Sequence, residues 1–459
     1  MRRREFFGAA AGAFTASTTA LAAPERKPNI VMILCDDLGY GDPGCYGGRI
    51  RTPNIDRMAA EGMRFTDFYA AYPVCSPSRA ALLTGKYPTR VGVPRVLFPD
   101  DKGGLDLAER TMADQLKSEG YRTFIVGKWH LGCTPQYLPQ RRGFDHWFGI
   151  PYSNDMRPRK LMRDDQVLEQ EANLVNLTER YTQESLKFIR ESGNNPFFLY
   201  FPHTFPHIPL AASPRFLGKS PLGLYGDTVE ELDWSVGEIL QTLKSQGIDR
   251  DTLVMFSSDN GPWYEGSPGR LRGRKGFTLE GGMRVPFIAR MPGRIPGGTV
   301  SRQLASMMDI MPTSLNLAGR PLPSRGIDGI NLWPVLSDPK RTLDREALLY
   351  FAEGGDLQCI RWKNWKLHVA RHNVPYYAPV PAVGRLNLPL LRPELYDLSL
   401  DEDESYDVAA RHPDIVADLR GRVDRLMATM PESIRRRWSD TLARKTYEVP
   451  AGAWPPVAK

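Results

Sequence analysis

Residues 75–86 read Cys-Ser-Pro-Ser-Arg-Ala-Ala-Leu-Leu-Thr-Gly-Lys, which sets a thiol where a loop turns into a helix. Pro77 suits the first helical turn, where a missing N–H costs nothing, and the Ala-Ala-Leu-Leu run propagates the helix. Cys75 therefore falls at or beside a helix N-terminus, where unpaired amides and the helix dipole favour negative charge. A nucleophile-capable side chain in that place suits chemistry on an anion. A cysteine read by type alone packs as a small hydrophobe, so the remainder of the chain has to supply a metal site and anion-binding cations.

It offers both. Asp36 and Asp37 follow one apolar run directly, and Asp259 and Asn260 follow a later one in the same way. Carboxylates and an amide converging on one end of a sheet make an all-oxygen site suited to calcium or magnesium. In Gly127-Lys-Trp-His-Leu-Gly132, Lys128 and His130 stand two apart after a third apolar run, so both can point into one crevice. His203 and His207 flank Thr-Phe-Pro after a fourth, and Lys275 sits in Gly273-Arg-Lys-Gly-Phe-Thr-Leu-Glu-Gly-Gly282, with Arg274 as the alternative register.

The elements that must position these residues are legible from pattern. The unbroken apolar runs 29–34, 123–126, 196–201 and 252–256 predict strands buried on both faces. Helical periodicity fills the intervals at 54–61, 112–118, 179–191 and 228–245, the last with Leu232, Val236, Ile239, Leu240 and Leu243 on one stripe. Strands alternating with helices imply an α/β fold with a parallel sheet covered on both sides, whose ligands bind beyond the carboxyl ends of the strands. Proline and glycine thicken between 319 and 341. Short aromatic and β-branched runs at 347–351, 358–362, 365–369 and 395–398, then a helix near 414–430, predict a smaller C-terminal α+β domain with an antiparallel sheet. The expected division is a leader over 1–23, a catalytic domain over 24–340 and the smaller domain over 341–459.

The pattern Cys-x-Pro-x-Arg at 75–79, together with Gly-Lys-Trp-His-Leu-Gly and the run 207–218, resembles the signatures of type I sulfatases, in particular the branch of N-acetylgalactosamine-6-sulfatase and arylsulfatase A. The resemblance runs from about Pro28 to Leu317. It implies an alkaline-phosphatase-like fold and an enzyme, a sulfuric ester hydrolase. It further implies that Cys75 is oxidised by a formylglycine-generating maturation enzyme to an aldehyde, 3-oxoalanine. Asp36, Asp37, Asp259 and Asn260 would bind calcium together with the group made from Cys75. Arg79 would hold the aldehyde hydrate, and Lys128, His207 and Lys275 the sulfate, with His207 or Lys275 protonating the leaving alcohol. His130 would take a proton from the hydrate's second hydroxyl to expel sulfate. His203 is the fallback for His207. Substrates would be carbohydrate or aryl sulfates.

Gross properties agree with an exported enzyme of this kind. The chain has 459 residues, enough for a large core, and a formal charge of +7 that falls to about +5 once a leader carrying Arg2, Arg3, Arg4 and Glu5 is removed. That mild, spread excess gives no case for nucleic acid. Arg-Arg-Arg-Glu-Phe-Phe, a short apolar stretch and Thr-Ala-Leu-Ala-Ala before Pro24 form a twin-arginine type signal, which predicts the Tat machinery as a partner, a periplasmic or secreted location, and no membrane span. Five cysteines, Cys35, Cys45, Cys75, Cys133 and Cys359, are too few and odd in number for a disulfide scaffold, although one pair could form. Arg157, Arg159, Lys160, Arg163, Arg270, Arg272 and Arg274 are either a path for a polyanionic glycan or solvated surface charge. Two other functions compete: a phosphomonoester or phosphonate hydrolase of the same superfamily, and a non-catalytic exported protein that binds sulfated glycans.

Overall fold

The computed structural model describes residues 26–322 and 326–444; the leader over 1–23 lies outside the described residues. In chain order the strands are β1 Asn29–Cys35, β2 Met63–Phe65, β3 Phe68–Tyr69, β4 Arg122–Val126, β5 His146–Gly149, β6 Leu161–Arg163, β7 Gln166–Glu169, β8 Phe197–Pro202, β9 Thr252–Ser258, β10 Phe287–Arg290, β11 Thr299–Ser301, β12 Ala305–Ser306, β13 Leu348–Ala352, β14 Asp356–Trp362, β15 Trp365–His372 and β16 Asn387–Asp397.

Ten of them form one sheet in the order β11-β2-β10-β9-β1-β8-β4-β5-β6-β7. The apolar runs lie at its centre because a strand there buries both faces. Ile30, Met32 and Leu34 of β1 enter one core, and Val31, Ile33 and Cys35 enter the core on the opposite side. The period of two divides β8 and β9 in the same way. The helix Gly223–Ser245 lays Val229, Leu232, Val236, Ile239, Leu240 and Leu243 against the second core. It also supplies Asp233, whose carboxylate accepts from the amides of Asn54 and Ile55 and so satisfies the start of the helix Pro53–Ala60.

The large sheet is mostly parallel, as expected, with antiparallel strands added beside and beyond its centre. The central pairs β9·β1, β1·β8, β8·β4 and β4·β5 are parallel, whereas β10 runs antiparallel to β9 and to β2, and β6 and β7 are antiparallel additions to the far edge. The connection from β9 to β10 runs through residues 259–286, whose α-helix is the four-residue Glu280–Met283, and brings the chain back antiparallel beside the strand it left. β6 and β7 are joined by Asp164-Asp165, with Asp164 at φ 54°, a tight hairpin.

The second sheet, β13-β14-β15-β16, is antiparallel and packs with the helices Pro413–Ala428 and Glu432–Ala443. It shares a core with the segment leading to Cys75: Tyr69, Tyr72, Val74 and Ala81 cluster with Leu348, Tyr350, Leu357, Ile360 and Leu367. A buried ionic link runs alongside. Lys366 lies 3.0 Å from Glu280 and 2.9 Å from Glu404, and Glu404 also meets His368 at 2.6 Å. Among the described residues no helix is long and apolar enough to cross a membrane. All five cysteines are free thiols.

Candidate active site

Cys75 opens the helix Cys75–Thr84, with Val74 extended ahead of it and no side chain capping the amides of its first turn. Every residue of that helix is buried, and its side chains divide between two cores, Ala80, Leu82 and Leu83 in one and Ala81 in the other. Arg79, one turn on, therefore cannot leave the interior. Its Nε and Nη2 donate to Asp259 Oδ2 at 2.9 and 2.7 Å, and Nη1 donates to the Lys128 carbonyl at 3.0 Å. A guanidinium with a rigid fork of donors suits such a fixed task, two N–H groups on one carboxylate oxygen and a third on a carbonyl.

The strand ends converge on this helix. Asp36 and Asp37 leave β1, and Asp259 and Asn260 leave its parallel neighbour β9. Lys128 follows β4, and its Nζ donates to Asp36 Oδ2 at 2.5 Å and to Ser153 Oγ at 3.1 Å. Lys275 donates to Asp37 Oδ2 at 2.8 Å and reaches Cys75 Sγ at 3.4 Å; Asp36 Oδ1 lies 3.4 Å from the same sulfur. His207 Nε2 is 3.6 Å from Asp37 Oδ2, with Nδ1 held on the Ile208 carbonyl at 2.5 Å. Asp37 and His130 both hold left-handed backbone conformations, at φ 65° and 62°, a strained geometry that non-glycine residues keep where surrounding structure enforces it.

Burial sets the electrostatics. It pushes the Cys75 thiol up, reinforced by the Asp36 carboxylate, so the sulfur stays protonated and is a poor nucleophile as it stands. Burial also works against the Asp36 anion, but Lys128 and Arg79 outweigh it and hold the carboxyl well below the usual range. Burial and then Asp36 push Asp259 up to about 6. Lys275 is driven well above its ordinary value despite burial, because Asp37 lies against it, so it is an ammonium. His130 is driven well below its ordinary value, by burial first and then by Lys128 and Arg79. Its Nε2 donates to the Leu97 carbonyl at 2.8 Å, which leaves Nδ1 as a buried acceptor without a hydrogen-bond partner.

Oxygen donors suit a hard divalent cation here. Asp36, Asp37, Cys75 and His207 place ligand atoms within 4.8 Å of one another. Asp259 and Asn260 join through Asp37: its N–H donates to Asp259 Oδ1 at 3.2 Å, and Asn260 Nδ2 donates to Asp37 Oδ1 at 2.7 Å. Asn260 Oδ1 is buried with no hydrogen-bond partner, as an oxygen facing a cation would be.

All ten residues expected from the sequence thus meet in one place. His203 does not join them: both its ring nitrogens are buried without partners, and the ring packs on Phe201 at 4.1 Å. Most of the arginines noted in the sequence make local contacts. Arg157 and Arg159 pair with Glu171, Arg163 pairs with Glu184, Arg272 donates to the Glu404 carbonyl, and Arg274 donates to the carbonyls of Trp263 and Gly266. Sequence reasoning missed Ser153, which holds Lys128, and Asn154, which donates to the His207 carbonyl at 3.1 Å. Both follow β5, a four-residue strand whose His-Trp-Phe-Gly lacks the length of the other central runs.

The sequence model of the Sulfatase family matches residues 28–320. The chain belongs to the sulfatase family. Its similarity to N-acetylgalactosamine-6-sulfatase of Rattus norvegicus is 45% identity over 384 residues, covering 76% of this chain and 72% of the relative. With human arylsulfatase A it shares 38% identity over 444 residues, 87% of each. A solved sulfatase from Pseudoalteromonas sp. superposes with a TM-score of 0.80 at 30% identity, covering 90% of this chain and 91% of that one. A phosphonate monoester hydrolase of Agrobacterium radiobacter has the same fold, at a TM-score of 0.60 and 20% identity, with 89% and 96% covered. This sulfatase is therefore an alkaline-phosphatase-like α/β enzyme of the sulfuric ester hydrolases.

Proposed function

We propose that the chain hydrolyses sulfate esters of amino sugars, the substrate class its relatives' name N-acetylgalactosamine-6-sulfatase describes, through Cys75 oxidised to formylglycine beside a calcium ion held by Asp36, Asp37, Asp259 and Asn260. The observation that carries this reading is the setting of the Cys75 sulfur. It sits 3.4 Å from both a carboxylate and an ammonium inside an oxygen-rich cluster, and burial keeps it a thiol rather than a thiolate. When in place, the cation supplies Lewis-acid polarisation, and the oxidised side chain, as its hydrate, supplies an oxygen nucleophile that a buried thiol cannot.

The protein's own groups do the rest. Lys128 and Lys275, both ammonium ions fixed on aspartates, meet the sulfate oxygens, where negative charge must be stabilised as the S–O bond breaks. His207 turns Nε2 toward the same side and, with Lys275, is placed to protonate the departing alcohol. His130, neutral and with a bare Nδ1, accepts the proton whose removal expels sulfate. Maturation by a formylglycine-generating enzyme, export through the Tat machinery to the periplasm or medium, and a chain divided near residue 340 complete the reading.

Mass spectrometry of the tryptic peptide 65–79 from the native host, paired with sulfate release from N-acetylgalactosamine 6-sulfate and from aryl sulfate and aryl phosphate, is the test. The expected outcome is an aldehyde at position 75, rates on sulfates far above those on phosphate, and no turnover by Cys75→Ala. An intact thiol in an active preparation, or preference for the phosphate, overturns it.

A further inference from the structure

What little exposure the site's side chains keep lies mainly on His207 and Lys275. Cys75, Arg79, Lys128, His130 and the aspartates are at most 2% exposed, while His207 and Lys275 each retain 7%. A sulfate seated among these groups must therefore carry its alcohol out past His207 and Lys275. The segment that continues from Lys275 is lined by aromatic rings from both halves of the chain. Gly276 donates its N–H to the Pro73 carbonyl at 2.8 Å, and the Tyr376 ring packs so closely on it that a Cβ at Gly276 would lie 2.3 Å from that ring. Phe277 meets Tyr377 with centroids 5.8 Å apart, and Tyr377 meets Tyr264 edge to face at 5.7 Å. Tyr264 and Tyr377 are each 52% exposed. The Arg274 guanidinium, fixed by the carbonyls of Trp263 and Gly266, lies 5.5 Å from the Tyr264 centroid.

We propose that Tyr264 and Tyr377 form a stacking ridge that holds the saccharide ring attached to the sulfate, making the loop after β15 a specificity element of the site. This deepens the sulfatase reading and rests on it for the position of the sulfate. Tyrosine offers a large, rigid, amphipathic surface at little entropic cost. A pyranose presents an apolar C–H face to such a ring, and the guanidinium at the ridge's edge complements the anionic substituents of a sulfated glycan. Tyr376 is the spacer that sets the ridge against Gly276, and so against Lys275.

The test uses the full-length mature protein and the variants Tyr377→Ala, Tyr264→Ala and Tyr377→Phe. Binding of an unsulfated tetrasaccharide containing N-acetylgalactosamine is measured by calorimetry, KM and kcat on N-acetylgalactosamine 6-sulfate are measured by sulfate release, and inhibition by inorganic sulfate reports the anion pocket alone. The alanine variants should weaken saccharide binding and raise KM by about tenfold, with kcat and sulfate inhibition within about twofold of wild type and affinity kept by Tyr377→Phe. Unchanged saccharide affinity in the alanine variants, no binding by the wild type, or parallel loss of saccharide and inorganic sulfate binding overturns the ridge. Tyrosine-dependent saccharide binding by a protein that releases no sulfate upholds the ridge while the hydrolytic reading fails.

Discussion

Lys128 illustrates how little freedom a single site residue has. Its ammonium is wholly buried and lies 2.5 Å from Asp36, so removing it strands a carboxylate in the interior with Arg79, 3.4 Å away, as its remaining close cation. Lys128→Met should cost about 3 kcal/mol in urea unfolding and reduce sulfate release by roughly a thousandfold. A variant retaining a tenth of the activity would remove Lys128 from the sulfate site. Asn260 makes a complementary case, because its buried Oδ1 lacks any donor. Calcium should raise the melting temperature of the wild type, corresponding to about 2.7 kcal/mol at a hundred times the dissociation constant. Asn260→Ala should need markedly more calcium for the same shift, and an identical calcium titration in both proteins would exclude Asn260 as a ligand.

At the scale of elements, the site depends on parallel strands ending together and on turns that clear one another. Gly127, between β4 and Lys128, has φ 130°, and a Cβ there would fall 1.8 Å from the carbonyl oxygen of Pro202 at the end of β8. Backbone lies on both sides of that contact, so nothing flexible can yield. Gly127→Ala should destabilise the protein by about 2 kcal/mol or more and, by shifting Lys128, lower kcat as well. Equal stability by calorimetry would show that the two strand ends can separate. The ends of elements were also the least legible part of the sequence. The helix expected over 228–245 starts five residues earlier, at Gly223, because Leu222 and Gly223 enter it through a turn rather than a capping side chain. The strand β16 runs from Asn387 although only its last residues have a strand-like pattern.

The two sheets are joined by charge as well as by apolar packing. His368 of β15 meets Glu404, which accepts the Glu280 amide at 2.7 Å, and these groups are buried with Lys366. Burial works against the imidazolium, but Cys359 and Glu404 overcome it and raise His368 to about 9. A histidine raised on folding stabilises fully below its unfolded pKa near 6.5 and loses that contribution as pH climbs through the folded value. Stability should therefore decline between about pH 6.5 and 9, by roughly 1–3 kcal/mol. His368→Gln should flatten that slope, and thermal unfolding across the range with the same slope in both proteins would refute the assignment. Because the second sheet shares its core with the approach to Cys75, such loosening should reach the helix Cys75–Thr84 too.

What the sequence determined by itself was chemistry and its immediate setting. Apolar runs ending in Asp36-Asp37, Lys128 and Asp259-Asn260 already implied strands whose carboxyl ends carry the clustered polar groups, since a central strand must be apolar on both faces and must stop where polar groups begin. The Cys75 motif likewise implied a helix start. Tertiary structure alone decided that Ser153 holds Lys128, that Asn154 holds the His207 carbonyl, and that Arg157, Arg159 and Arg163 pair with nearby glutamates. It also decided that β10 runs antiparallel and that tyrosines some 110 residues apart, Tyr264 and Tyr377, meet edge to face. Such facts depend on which of several similar side chains a fold turns inward and on what lies opposite it, and spacing along a chain carries no record of either.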